Sequence, residues 1–192
     1  MKGYLIWDFD DTVAYNTKRW AGVLHELLLF EIPNHPSTVE EIRNYTKSGF
    51  YWHTPEVGHA HIQARDEWWE GIYPRLELAL TSNNVGSLVA KRLARAFPAA
   101  YLELSGWQLF DDTLPTLQEL SVQGWKHLIL SNHVPELNDL VEGLGLSNHI
   151  EKIFNSAVIG YEKPHPEMFK AVLNYIGDAK AWVIGDNPVA DV

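Results

Sequence analysis

The spacing of apolar positions along this chain changes period twice. At the start, Tyr4-Leu5-Ile6-Trp7 is an unbroken apolar run that ends in Asp8, with Asp10 two places on. A short run closed by turn-forming polar residues reads as a buried strand of a parallel sheet. From Thr17 to Glu31 the period lengthens. Trp20, Val23, Leu24, Leu27 and Leu28 repeat at helical spacing, with Thr17 as the expected N-cap. Thr38-Val39-Glu40-Glu41 has the form of a capping box and predicts a short helix to about Thr46. Residues 48–58 form an aromatic loop bounded by glycines. A third helix is expected over His59–Tyr73, broken or kinked at Pro74. A fourth is expected from about Asn83 to Ala96, with Val85, Leu88, Val89 and Leu93 on one face, stopping before Pro98.

The short period then returns in alternation with the long one. Asp112 or Thr113 opens a helix with Leu114, Leu117 and Leu120 inward, ended by Gly124. His127-Leu128-Ile129-Leu130 is a strand-like run that ends in Ser131-Asn132, and a helix from about Pro135 to Leu144 follows. Ile153-Phe154 and Ala157-Val158-Ile159 suggest a short strand leading to Lys163. His165-Pro166-Glu167 opens a helix, with Pro166 suited to the first turn and Met168, Phe169, Val172, Leu173 and Ile176 on its buried side. A last run, Ala181 to Ile184, ends in Gly185-Asp186, with Asp191 five positions on. This alternation predicts an α/β fold, a three-layer Rossmann-like parallel sheet core built from residues 1–14 and 106–192. Residues 15–105 read as a mainly α-helical insertion between the first and second core strands.

At 192 residues the chain accommodates one ordinary domain, or a core with a sizeable insertion, and an apolar fraction of 46% with 8 tryptophans supplies the core. There are no cysteines, which excludes thiol catalysis, thiolate metal sites and disulfides, and suits a reducing cytoplasm. A formal charge of −10 argues against nucleic acid as a partner. It leaves room for a small phosphorylated metabolite, because one lysine and a metal outweigh the global charge locally. The first strand begins within a few residues of Met1, so no leader is expected. No apolar run approaches the roughly 18 residues of a transmembrane helix, so no membrane partner is expected. The expected setting is cytoplasmic, with monomer and homodimer both open.

Asp8 and Asp10 stand at the strand edge where open α/β sheets bind ligands, and Phe9 between them turns away. Two carboxylates about 4 Å apart repel by roughly 4 kcal/mol at an effective dielectric near 20, so the pair needs a metal, a shared proton or good solvation. The nine histidines give no competing metal site: His53, His59 and His61 lack a matching carboxylate arrangement and read as surface or core residues. His133 and His165 fall at the pocket rim without an assigned catalytic role. Trp68 and Trp69 read as packing.

Taken together, Asp8-Phe9-Asp10-Asp11-Thr12, the apolar run ending in Ser131-Asn132, Lys163-Pro164, and Gly185-Asp186 with Asp191 resemble the four motifs of the haloacid dehalogenase (HAD) superfamily. The likeness spans nearly the whole chain and points to the helical-cap (C1, subfamily IA-like) phosphatase branch. It implies Asp8 as the nucleophile that becomes an aspartyl-phosphate and Asp10 as general acid and base. It implies Ser131, Asn132 and Lys163 as the phosphate-binding groups, and Thr12 as a residue that stiffens the loop through side-chain hydrogen bonds. The implied cofactor is Mg²⁺, held by Asp8, the backbone carbonyl of Asp10 and Asp186, with Asp191 as an indirect ligand. The carboxylate at Asp10 argues against the dehalogenases and phosphonate hydrolases of the family. Hydrolysis of a small phosphomonoester is therefore the leading expectation and a sugar phosphomutase the second. A different class also stays open, a catalytically silent member acting through a partner surface. Response-regulator receivers fit less well, because their phosphoacceptor ends a middle strand. The resemblance makes residues 15–105 a cap that closes over the pocket, with Tyr15, Asn16, Arg19, Trp52 and His53 as candidate substrate contacts. Family members continue past the last motif with at least another helix and strand, so truncation after Val192 and fraying at Asp191 are expected.

Overall fold

The computed structural model describes residues 2–62 and 64–191. Along the chain, β1 (Gly3–Trp7) and β2 (Ala14–Asn16) precede four helices, α1 (Arg19–Glu31), α2 (Val39–Thr46), α3 (Arg65–Thr81) and α4 (Ser87–Tyr101). They are followed by β3 (Trp107–Leu109), α5 (Thr113–Val122), β4 (Trp125–Ser131), α6 (Leu137–Gly143) and β5 (Ile150–Asn155). A single turn α7 (Ser156–Ile159), α8 (Pro166–Ile176) and β6 (Ala181–Ile184) complete the order.

The apolar runs become a four-stranded sheet in the order β5-β4-β1-β6, with every pairing parallel. Trp7 lies opposite Ile129 of β4 and Ile184 of β6, so the three strands leave the sheet side by side. Successive side chains of a strand point to opposite faces, and each face carries helices. Tyr4, Ile6, Leu128, Leu130 and Phe154 pack against Met168, Val172 and Ile176 of α8. On the other face Ile129 joins Leu117 of α5 and Leu137, Leu140 and Val141 of α6. This is the α/β fold, helices on both sides of a parallel sheet, that the alternation of periods predicts.

The same apolar cluster continues from Phe9, Val13 and Ala14 into the four-helix segment, through Leu24, Leu28, Trp68, Trp69, Ile72, Leu76 and Phe97. The two ends of that segment are brought together by an antiparallel pair, Ala14 opposite Leu109 and Asn16 opposite Trp107. Thr38 forms the expected capping box with Glu41. Pro166 takes the first turn of α8.

Several boundaries differ from the sequence expectation. α1 starts at Arg19, because the Asn16 side-chain oxygen accepts from the N–H groups of Lys18 (3.0 Å) and Arg19 (2.8 Å) and takes the capping role. The Thr17 hydroxyl instead donates to the Gly106 carbonyl at 3.2 Å. α3 begins at Arg65 rather than His59 and continues through Pro74, and α4 continues through Pro98. Pro74 is exposed, and the buried Ile72 and Leu76 on either side hold the helix to its neighbours. The tertiary packing therefore outweighs the backbone penalty of the proline. Leu88 is 85% exposed and Leu173 is 57% exposed. The buried side of α4 is set by Ala90, Leu93, Ala94, Phe97 and Tyr101 instead. Residues 156–159 form a helical turn, not a strand, because the Asn155 side chain accepts from the Ala157 N–H at 3.0 Å and caps it. Among the described residues no helix is long and apolar enough to cross a membrane.

If packing holds α3 straight against the proline, Pro74→Ala restores the missing hydrogen bond without disturbing the buried face. Stability should rise by roughly 1–3 kcal/mol, read as an increased urea midpoint with an unchanged slope.

Candidate active site

The chain leaves β1 in a tight turn built almost wholly from backbone. The Phe9 carbonyl accepts from the N–H groups of Thr12 (3.4 Å), Val13 (3.0 Å) and Ala14 (3.0 Å), and the Asp11 N–H donates to the Ala14 carbonyl at 2.8 Å. Asp11 has φ 57°, in the left-handed region that a non-glycine residue takes at some cost. Phe9 is fully buried between the rings of Trp107 and His133, so Asp8 and Asp10 turn the other way, as the alternation requires. The Thr12 hydroxyl is buried without a partner among the described residues. The expected stiffening by that side chain is therefore absent, and the backbone bonds do the work.

Asp8 is buried, and its Oδ1 collects three donors: the Ser131 hydroxyl at 2.7 Å, the Phe9 N–H at 2.7 Å and the Lys163 ammonium at 3.0 Å. Burial raises the Asp8 carboxyl above its ordinary pKa, with Lys163 and Ser131 pulling it back down. Lys163, only 2% exposed, also donates to Asp191 at 2.5 Å. Its backbone is held at both ends by Asn132, whose Oδ1 accepts from the Lys163 N–H at 2.6 Å and whose Nδ2 donates to the Lys163 carbonyl at 3.0 Å. The Asn132 amide thus places Lys163 while one of its two N–H groups takes no part in that contact, and the residue lines the cavity described below. Asp191, expected to fray, is tied to Lys163 and accepts from the Asn187 N–H at 3.1 Å. It approaches Gly185 so closely that a Cβ there would lie 2.0 Å from its Oδ2, which leaves glycine as the residue that fits.

The carboxylates of Asp8, Asp186 and Asp191 offer oxygens within 4.8 Å of one another. Three carboxylates against one ammonium leave a negative surplus, and an all-oxygen donor set of this kind suits a hard divalent cation. The Asp10 carboxylate is not part of that cluster; it sits on the cavity side of the turn, 40% exposed. Its pKa is pushed well above the ordinary range, by desolvation first and then by the charges of Asp8 and Asp11. His133 lies behind it, buried, with Nε2 3.6 Å from Asp10 Oδ2. Burial lowers the His133 pKa to about 4, and its Nδ1 lies 3.3 Å from the Val134 carbonyl, so a neutral ring faces Asp10.

A cavity of about 590 Å³ opens over this cluster. Asp8, Asp10, Asn132, Lys163 and Asp186 line it together with residues from α2 and the loop after it. Of the expected substrate contacts, Arg19, Asn16, Trp52 and His53 reach the cavity wall. Two of these are already engaged: Arg19 makes a bidentate ion pair with Asp11 (2.9 Å on each oxygen), and Asn16 caps α1. Tyr15 is not on the wall. It points away, donating to Gln108 at 2.7 Å and packing on Phe110, because Ala14 and Asn16 on either side take the inward positions of β2.

Three residues escape the sequence reading. Arg43 and Lys47, four apart on and just after α2, face the cavity. Glu162, next to Lys163, is fully buried and meets the buried His59 at 2.9 Å, and the His59 N–H donates to the Gly160 carbonyl at 2.7 Å. His59 is thus a docked core histidine, and His165 caps α8 through its ring.

Residues 4–192 match the family model of haloacid dehalogenase-like hydrolases. The chain is 27% identical over 202 residues to the human haloacid dehalogenase-like hydrolase domain-containing protein 3, covering 97% of this chain and 75% of that protein. A ribulose-1,5-bisphosphate 5-phosphatase of Halopiger xanaduensis is 32% identical over 120 residues, 61% of this chain and 48% of that protein. Among solved structures, the magnesium-bound HAD-hydrolase YfnB of Bacillus subtilis superposes with a TM-score of 0.70 at 26% identity, covering 100% of this chain and 82% of that one.

A carboxyl whose pKa is raised in the folded state favours folding when protonated and opposes it once ionised. Asp10→Asn should therefore raise the melting temperature of the chelator-treated protein at pH 8. The gain should shrink as pH falls and vanish below about 4, where Asp is protonated in both states. A constant gain across that range would show that the turn does not strain the Asp10 charge.

Proposed function

Because this chain belongs to the haloacid dehalogenase-like hydrolases, we propose that it is a Mg²⁺-dependent phosphohydrolase that cleaves a small phosphomonoester through an aspartyl-phosphate. The observation that carries this reading is the one-sided dressing of Asp8. Ser131, the Phe9 N–H and Lys163 all converge on Oδ1, and among the described residues none donates to Oδ2. An anchored carboxylate with one undressed oxygen is a positioned nucleophile. The Halopiger relative is a phosphatase, and YfnB is a family hydrolase seen with magnesium.

In the first step Oδ2 of Asp8 attacks phosphorus and the ester P–O bond breaks. Asp10, whose pKa is raised by desolvation and by the neighbouring carboxylates, gives its proton to the leaving oxygen. Asp10 is then a carboxylate, and in the second step it takes a proton from water. That water attacks phosphorus, releasing inorganic phosphate and restoring Asp8. The Lys163 ammonium neutralises oxygens of the transferred group throughout, fixed in place by Asn132. Asp8, Asp186 and the Asp10 backbone carbonyl would hold Mg²⁺, with Asp191 beside them, and the ion supplies further positive charge for phosphoryl transfer. Residues 15–105 act as a cap that excludes water from the cavity. A chain without cysteine suits a reducing cytoplasmic setting.

Purified protein assayed with p-nitrophenyl phosphate and a panel of phosphorylated metabolites should show turnover that requires Mg²⁺. Asp8→Asn should lower kcat by at least about 10³-fold, the scale expected when a covalent nucleophile is lost. Retained turnover in a folded Asp8→Asn protein would overturn the covalent mechanism.

A further inference from the structure

The elements that line the cavity differ in charge. The sheet edge and the segment after β1 contribute Asp8, Asp10, Asp11 and Asp186 with Lys163, and Arg19 is already paired with Asp11. α2 and the loop after it contribute Arg43, Thr46, Lys47, Phe50, Trp52 and His53, without a carboxylate among these residues. Arg43 pairs with Glu40 through Nη1 alone, at 2.7 Å, in an exposed pair three residues apart, the kind worth only a few tenths of a kcal/mol. The Lys47 ammonium donates to the neutral Asn44 side chain at 3.1 Å and has no carboxylate partner among the described residues. In a chain of formal charge −10, two neighbouring cations on the wall of an open cavity are a local exception.

The aromatic part of this wall is firmly packed. Trp20 and Phe50 have ring centroids 4.6 Å apart, and Phe50 and Trp52 stack at 4.9 Å. His53 accepts from the Phe50 N–H at 3.1 Å, which fixes its ring in the same wall, and burial beside Arg75 lowers its pKa. The volume of about 590 Å³ is that of a site for a whole small molecule rather than for a phosphoryl group alone.

We propose that Arg43 and Lys47 form a second anion subsite, so that the preferred substrate is a phosphomonoester carrying a further carboxylate or phosphate at its other end. This inference rests on the phosphohydrolase reading of the Asp8 end. The phosphoryl group to be transferred lies against Asp8 and Lys163, the carbon chain lies along Phe50 and Trp52, and the distal anion meets the two cations. The competing role is structural: basic residues at the end of a helix also stabilise its dipole. That role would change melting temperature without discriminating between substrates.

The test compares matched esters, fructose 1,6-bisphosphate against fructose 6-phosphate, and 3-phosphoglycerate against glycerol 3-phosphate. Affinity is read by calorimetry on the Mg²⁺-loaded Asp8→Asn protein, and kcat/KM on the wild type. The member with the second anion should bind at least about tenfold more tightly, and the Arg43→Gln/Lys47→Gln pair of substitutions should bring that ratio close to one. A ratio near one before substitution, or one that survives it, overturns the subsite. Preferential binding lost on substitution, with no turnover of any ester by the wild type, keeps the subsite and overturns the hydrolase reading instead.

Discussion

Lys163 carries one positive charge, almost wholly removed from water, into the space between Asp8 and Asp191. An ammonium buried alone would shed its proton, and carboxylates buried alone would take one up. The groups are accordingly placed against one another, at 3.0 Å and 2.5 Å. The contact also collects distant parts of the chain: the end of β1, the loop before α8 and the turn after β6. Asn132 adds the end of β4 by gripping the Lys163 backbone on both sides. The sheet makes this possible, since its parallel register delivers β1, β4 and β6 to one edge together.

From that edge the structure divides labour by oxygen atom. Oδ1 of Asp8 carries the three anchoring contacts, and in the proposed reaction Oδ2 is the atom that attacks phosphorus. Asp10 lies two residues away in a turn whose geometry is set by backbone bonds to the Phe9 carbonyl, so it is held firmly although its side chain is half open. In the proposed subsite, the aromatic wall and the cations on and after α2 act on the part of a substrate that does not react. Chemistry and selectivity sit on separate elements, and either can change while the other stays.

The motif residues were legible because their signals are local: an apolar run of strand length, then a carboxylate or hydroxyl at its end. Helix existence was legible for the same reason, and helix ends were less so. Pro74 reads as a breaker until the buried residues on either side of it are known. Leu88 and Leu173 fit a periodic face, but what decides their exposure is which neighbours arrive, and that is a tertiary matter. Thr12 was given a role by type, whereas a hydroxyl's role depends on which partner comes within about 3 Å. Tyr15 shows the limit of proximity along the chain: in a strand, one residue's shift reverses the direction of the side chain. Glu162 was unreadable in principle, since the imidazole that meets it lies 103 residues earlier.

That last contact has a consequence for modularity. The helical segment joins the sheet domain not only through the β2–β3 ribbon but also at Gly160, where a Cβ would lie 2.3 Å from the Cα of Ala60, and at Glu162, sealed under His59. Exchanging the helices between relatives by cutting at the ribbon would strand Glu162 in the interior without its imidazole and set a new backbone against Gly160. The inheritable unit is therefore larger than the sequence interval: the helices and the 160–162 loop have to be recombined together.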